Sequence, residues 1–231
     1  MASEVRFRGF PKKMITFYKN LSANNNREWF LAHKEDYEEY VVTPSRAFVT
    51  EMGQQLRRLS PAINAVPKTN QSLFRINRDT RFSKDKRPYK TNLGFFFWEG
   101  SRPKRMECSG YYMHLEARDF FIAAGMHVFP KDVLTAYRER VQVPVEAKKL
   151  ARILAKITAQ EGYAVGGKTY KKTPRGYEAN SENEELLKHS GLTAYTEFPI
   201  PDCLHTPELI DFCYDKYRTM APVHKWLVSL G

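Results

Sequence analysis

The sequence predicts an α+β fold: a mainly antiparallel sheet flanked by helices from both ends of the chain. Three observations predict it. Apolar residues recur with helical period over the first sixty positions, β-rich runs bounded by Gly, Pro, Asn or charged turns fill the middle, and helical period returns from Pro130. Helices segregated from strands, in place of regular alternation, argue against a parallel α/β unit. The 231 residues are 42% hydrophobic and contain no repeat or Ser/Gly linker, so a single domain over 1–231 is expected.

Taken in order, the first helix is expected from Pro11 to Leu21, where Met14, Ile15, Phe17, Tyr18 and Leu21 share a face. Asn25 stands three residues before Glu28, close to a capping box, and Trp29, Phe30, His33, Tyr37, Tyr40 and Val41 continue the stripe. Thr43 and Pro44 read as a cap followed by proline at the first helical position. The stripe of Phe48, Val49, Met52, Leu56 and Leu59 stops at Ser60 and Pro61.

Strands are expected over 73–78, 92–98, 109–116 and 120–126. The run 92–98 is apolar on both faces, which places it inside the sheet. The connection 116–119 is short and favours an antiparallel hairpin. Helices follow through Val133, Leu134, Tyr137 and Val141, and through Leu150, Ile153, Leu154 and Ile157, with Gly162 as the stop. Gly166 and Gly167 mark a turn, 184–189 a short helix ending at Gly191, and 195–198 a strand. Thr206, Pro207 and Glu208 open a helix running to about Thr219, and Pro222 begins a last one.

Composition narrows the function classes. No apolar run approaches the roughly 18 residues of a membrane span, so no membrane partner is expected. The N-terminus, Met-Ala-Ser-Glu-Val-Arg-Phe-Arg, has no secretory apolar core. Cys108, Cys203 and Cys213 are odd in number and far apart, as reduced cysteines of a cytoplasmic protein would be. The sequence points to no cofactor and no metal: it has no Gly-rich phosphate loop, no G-x-S-x-G elbow and no H-E-x-x-H. Lys and Arg number 37 against 26 Asp and Glu, a net charge of +11 that attracts phosphates, nucleic acids and acidic surfaces.

That charge is concentrated. Residues 75–91 carry Arg75, Arg78, Arg81, Lys84, Lys86, Arg87 and Lys90 against Asp79 and Asp85, a net +5. Residues 163–177 add Lys168, Lys171, Lys172 and Arg175 with no acid. Arginine offers a planar fork of donors that matches phosphate or carboxylate, and three arginines at spacing three suit a multiply charged anion. Arg75, Arg78, Arg81, Lys86 and Lys90 are therefore the candidate anion-binding residues, with Asp79 placed to orient the forks. On a strand, Arg75 and Asn77 would share one face while Phe74 and Ile76 take the other. The competing account is a salt-bridge network or a solvated basic loop.

The string Arg75-Ile-Asn-Arg78-Asp79-Thr-Arg81-Phe82-Ser-Lys-Asp-Lys86-Arg-Pro88-Tyr89-Lys90 resembles R-x-x-R-D-x-R-F-x-x-x-K-x-P-Y-K, the hallmark of a bacterial and fungal family of unknown function. Asn24, Asn25, Trp29, Phe30 and the Lys-Thr-Pro-Arg-Gly-Tyr stretch at 172–177 are similar to its looser features. The resemblance implies a shared fold and brings no activity.

Two further features invite chemistry. Tyr163, Tyr170 and Tyr177 interleave with the second basic stretch, as in surfaces where bases stack on rings, or simply as packed tyrosines of a hairpin. His114 and Glu116 share a strand face with Tyr112, opposite Tyr111, Met113 and Leu115. With Asp79 they are candidate acid–base residues, or a half-solvated hydrogen-bonded pair. Three functions remain open: binding a phosphate-bearing ligand such as nucleic acid, an enzyme on a phosphorylated or carboxylated substrate, and a module docking an acidic protein.

Overall fold

The computed structural model describes residues 6–116 and 118–230. Met1–Val5, part of the N-terminal stretch without a secretory core, and Ala117, in the 116–119 connection, lie outside the described residues. The fold is α+β with an antiparallel sheet, as expected.

Helix α1 (Lys12–Ala23) buries Met14, Phe17, Tyr18 and Leu21. Asn26 caps α2 (Arg27–Ala32), its side chain accepting from the Trp29 amide at 2.9 Å. That leaves Asn25 for another task. Helix α3 (Lys34–Tyr37) runs through a π-turn at Glu38–Val42 straight into α4 (Thr43–Leu56). The expected break at Thr43 is therefore absent. Pro44 has no N–H for the carbonyl one turn back, and a widened turn accommodates that gap without ending the helix.

Among the described residues the six strands are β1 (Ile63–Asn64), β2 (Leu93–Glu99), β3 (Ser109–Leu115), β4 (Asp119–Met126), β5 (Tyr163–Lys168) and β6 (His189–Pro199). They lie in the order β1-β2-β3-β4-β6-β5. Strand β2 is buried from Leu93 to Trp98, as a strand apolar on both faces must be. The Glu116 amide donates to the Asp119 carbonyl at 2.9 Å where β3 turns towards β4.

Residues 73–78 do not form the expected strand. They are extended but divide their pairing: Leu73 bridges Phe95 on β2, whereas Asn77 bridges Tyr89. No continuous ladder with one partner can grow from such a split. The alternation of exposure survives, with Arg75 and Asn77 exposed and Phe74 and Ile76 half-buried and buried.

Gly166 and Gly167 lie inside β5 and not in a turn. The register against β6 shifts between Gly166 and Lys168, a bulge. Gly167 has φ +99°, and a Cβ there would stand 2.2 Å from the Gly191 carbonyl oxygen. Gly191 is likewise inside β6, while the short helix α7 (Glu184–Leu187) ends before it. Helices α5 (Lys131–Gln142) and α6 (Pro144–Thr158) match expectation. Helix α8 (Leu209–Val228) contains Pro222 in its interior, so no separate last helix begins there. Tyr217, Met220, Ala221, Val223, Trp226 and Leu227 are all buried along it, which outweighs the one hydrogen bond proline forgoes.

Two compact units are recognisable. The first comprises residues 6–97, 112–121 and 198–214, with Phe7, Phe10, Phe48 and Phe95 in ring contact at centroid separations of 5.0 to 6.2 Å. The second comprises 98–111, 122–197 and 215–230. At its core Tyr137 meets Phe129 at 4.8 Å and Trp226 at 5.7 Å, and its hydroxyl donates to the Leu186 carbonyl at 3.0 Å.

Candidate anion-binding site

The basic segment is a loop closed at its base. The Arg78 amide donates to the Pro88 carbonyl and the Lys90 amide to the Ile76 carbonyl, each at 2.8 Å. Asn25 grips the returning strand by exchanging two hydrogen bonds with the Tyr89 backbone, and Phe30 stacks on the Tyr89 ring at 4.3 Å. These ties come from the α1–α2 connection and from α2, so residues 79–87 hang from a fixed base.

Within the loop, Asp-x-Arg occurs twice and folds the same way twice. Asp79 accepts from the Arg81 amide at 3.3 Å and from its guanidinium at 3.0 and 2.7 Å. Asp85 accepts from the Arg87 amide at 3.0 Å and from its guanidinium at 2.7 Å, and also takes Arg78 at 2.6 Å. The Arg81 fork pulls the Asp79 carboxyl down to about 2, with Arg75 contributing at longer range. Arg87, then Arg78, hold Asp85 well below the usual carboxylate range. Lys86 donates to the Thr80 carbonyl at 2.9 Å.

The three arginines therefore do not gather on one partner. Asp79 takes Arg81, Asp85 takes Arg78 and Arg87, and Arg75 is exposed. Next to Arg81 stands Phe82, 95% exposed, with the guanidinium 5.8 Å from its ring.

Beside the loop base a cleft of about 380 Å³ is lined by Phe74, Arg78, Asp79, Lys90, Asn92, Gly94 and Tyr112. Three of the predicted residues line it: Arg78, Lys90 and Asp79. Arg75, Arg81 and Lys86 do not. Asn92 and Gly94 were not foreseen, and Tyr112 was expected only to share a strand face with His114 and Glu116; all three arrive on or beside neighbouring strands. A Cβ on Gly94 would lie 3.4 Å from the Phe74 ring and 3.7 Å from the Tyr112 hydroxyl. Burial, helped by the charge of Glu116, pushes Tyr112 up to about 12, so its hydroxyl stays protonated and able to donate.

Tyr112 and His114 do share the less buried face of β3, with Glu116 exposed one residue past its end, and Tyr111, Met113 and Leu115 are buried opposite. His114 stacks on Phe121 at 4.9 Å and meets Tyr112 edge-on at 5.6 Å. Neither His114 nor Glu116 lines the cleft. In the second basic stretch, the Tyr170 and Tyr177 rings lie 5.0 and 5.4 Å from the Arg138 guanidinium. These tyrosines pack on an arginine, while Lys171, Lys172 and Arg175 are exposed.

A buried polar chain had no counterpart in the sequence reading. His224 meets the Ser109 hydroxyl through Nδ1 at 2.9 Å and the Glu99 carboxylate through Nε2 at 3.0 Å. The carboxylate only accepts, so Nε2 carries the proton and Nδ1 accepts from Ser109. Ser109 is 3% exposed and His224 fully buried, while the Glu99 side chain is 19% exposed, so this serine-histidine-glutamate array is mostly enclosed and ties elements together.

The model of DUF2461, a conserved hypothetical protein family, matches residues 13–226. The chain belongs to that family. No curated protein matches the chain.

Proposed function

We propose that this member of the DUF2461 family binds single-stranded nucleic acid through the loop at 75–90. The observation that carries the reading is Phe82, an aromatic ring 95% exposed on a loop otherwise dominated by cations. A large apolar side chain left in water gains nothing from folding. A loop with Arg81, Lys84, Lys86 and Arg87 around such a ring matches the needs of a strand: bases stack on the ring and phosphates meet the cations. Stacking contributes about 1–3 kcal/mol per base and asks for no particular sequence. The two Asp-x-Arg turns support this role by shaping the loop while the segment keeps its net +5.

Anisotropy titration of a fluorescent oligonucleotide, as DNA and as RNA, tests the reading. Binding at low salt, falling steeply as salt rises and weakened by Phe82→Ala, is expected. No binding at low salt, or an unaffected Phe82→Ala variant, overturns it. Preference for anionic vesicles or an acidic polypeptide over the oligonucleotide overturns it too.

A further inference from the structure

We infer that the cleft beside the loop base is a separate site for a phosphomonoester, and that it takes the terminal phosphate of the bound strand. The second half of this inference rests on the nucleic-acid reading; the first does not.

The floor of the cleft is open because residue 94 is glycine. It sits on β2, where every residue from Leu93 to Trp98 is buried, and where a branched or aromatic residue is the ordinary choice. Its φ is not in the left-handed region, so the backbone does not require glycine. What a side chain would meet is the Phe74 ring and the Tyr112 hydroxyl, which both line the cleft. Glycine inside a strand marks a close approach by something else.

The walls supply donors. Lys90 and Arg78 bring charge, Asn92 brings an amide, and the protonated Tyr112 hydroxyl brings a neutral donor. Arg78 spends Nη1 on Asp85 and the Arg87 carbonyl, which fixes the fork without satisfying all five of its N–H groups. Asp79 is the one acid lining the cleft and the Arg81 fork at 2.7 Å offsets it, while Asp85, which holds Arg78 at 2.6 Å, is shared with Arg87 at 2.7 Å. Two cations with neutral donors suit a dianionic monoester better than a singly charged diester. Phe74 and Tyr112, edge to face at 5.9 Å, give the attached sugar and base an apolar wall. At about 380 Å³ the cleft is within the usual range for small-ligand sites.

The test uses the whole chain and oligonucleotides of one sequence with a 5′-phosphate, a 3′-phosphate or neither, alongside adenosine monophosphate, adenosine and inorganic phosphate. A terminal phosphate is expected to tighten binding about tenfold, as one well-formed charge-assisted set of hydrogen bonds provides. Gly94→Val, which fills the floor, should abolish that increment and leave the unphosphorylated oligonucleotide unchanged. Lys90→Gln should also abolish the increment where Gly94→Val lowers the melting temperature, and, as a cation of the 75–90 loop, it should weaken the unphosphorylated oligonucleotide modestly as well. Phe82→Ala should weaken every oligonucleotide and keep the increment. If no oligonucleotide binds but adenosine monophosphate or phosphate does, and Gly94→Val abolishes it, the site stands and its ligand is a free phosphomonoester. Equal binding of phosphorylated and unphosphorylated ligands, or an increment that survives Gly94→Val and Lys90→Gln, overturns the inference.

Discussion

Asn25 and Tyr89 exchange two hydrogen bonds of 3.0 Å, the Asn25 amide donating to the Tyr89 carbonyl and the Tyr89 amide to Asn25 Oδ1. One side chain thus replaces the strand that the returning arm of the basic loop lacks at this point. Asn25→Ala leaves both backbone groups of a buried residue without their partner. We expect a loss of about 2 kcal/mol in urea denaturation. Faster hydrogen exchange at Arg78 and Lys90, the amides that close the loop, should accompany it. Loss of stability with unchanged exchange at those amides would show that Asn25 does not control the loop.

Asp79 distinguishes a buried ion pair from an exposed brace. Its side chain is 46% exposed and that of Arg81 77%, so the pair is a brace in water. Asp79→Asn should leave the melting temperature close to wild type, because an exposed pair contributes little. Oligonucleotide affinity should fall several-fold as the Arg81 fork and the turn beside Phe82 loosen. Protonation has the same direction as the mutation. The carboxyl titrates at about 2 in the fold, below its ordinary value of 3.8. Its contribution is therefore complete above pH 3.8 and disappears only as pH falls through about 2. Across pH 5 to 8 the affinity should carry no Asp79 titration, which a pH series of the wild type checks.

Residues whose reasons are local were legible in the sequence. The stripes of α1 and α4 and the apolar run of β2 follow from burial acting at a fixed period. Gly166 and Gly167 misled because a glycine pair reads locally as a turn, whereas Gly167 is required by a carbonyl of β6, 24 residues further along. Pro222 misled because its local cost is outweighed by side chains packed on both sides of it. In the site, the cations were visible as charge, but their pairing was not. Asp85 organises Arg78 and Arg87, and the repeated Asp-x-Arg was there to be read. Asn92, Gly94 and Tyr112 carry no signal of their own; only β2 and β3 place them together.

Salt dependence offers a count of contacts that needs no structure of the complex. Each phosphate neutralised on a single strand contributes about 0.7 to the slope of log affinity against log salt. Lys84 is exposed next to the Phe82–Ser83 step. Lys84→Ala should reduce the slope by about 0.7, and Phe82→Ala should lower affinity with the slope unchanged. A Phe82→Ala variant that loses slope would mean that the ring supports the cations and does not stack.

The Ser109–His224–Glu99 chain sets a pH dependence of stability whose sign can be worked out. Burial, the largest influence, pushes His224 below its ordinary value of 6.5. The Glu99 hydrogen bond and charge work against burial, and Lys225 works with it. Tyr111, at 4.6 Å, adds an uncharged face. The net displacement is downward, so the folded chain resists a proton that the unfolded chain accepts near pH 6.5. Stability from this residue is complete above that pH and declines as pH falls towards the folded value. The decline cannot exceed about 1.4 kcal/mol per pH unit for one proton. His189 is also displaced downward by burial and adds to the wild-type curve in the same range. The quantity to measure is therefore the difference between wild type and His224→Leu, in urea denaturation at half-unit steps from pH 5 to 8. The variant should be less stable at pH 8, having left Ser109 and Glu99 without the imidazole between them. The gap should narrow as pH falls below 6.5, because only the wild type pays to keep the ring neutral. A gap that widens on acidification would mean that Glu99 outweighs burial and that the fold holds His224 charged.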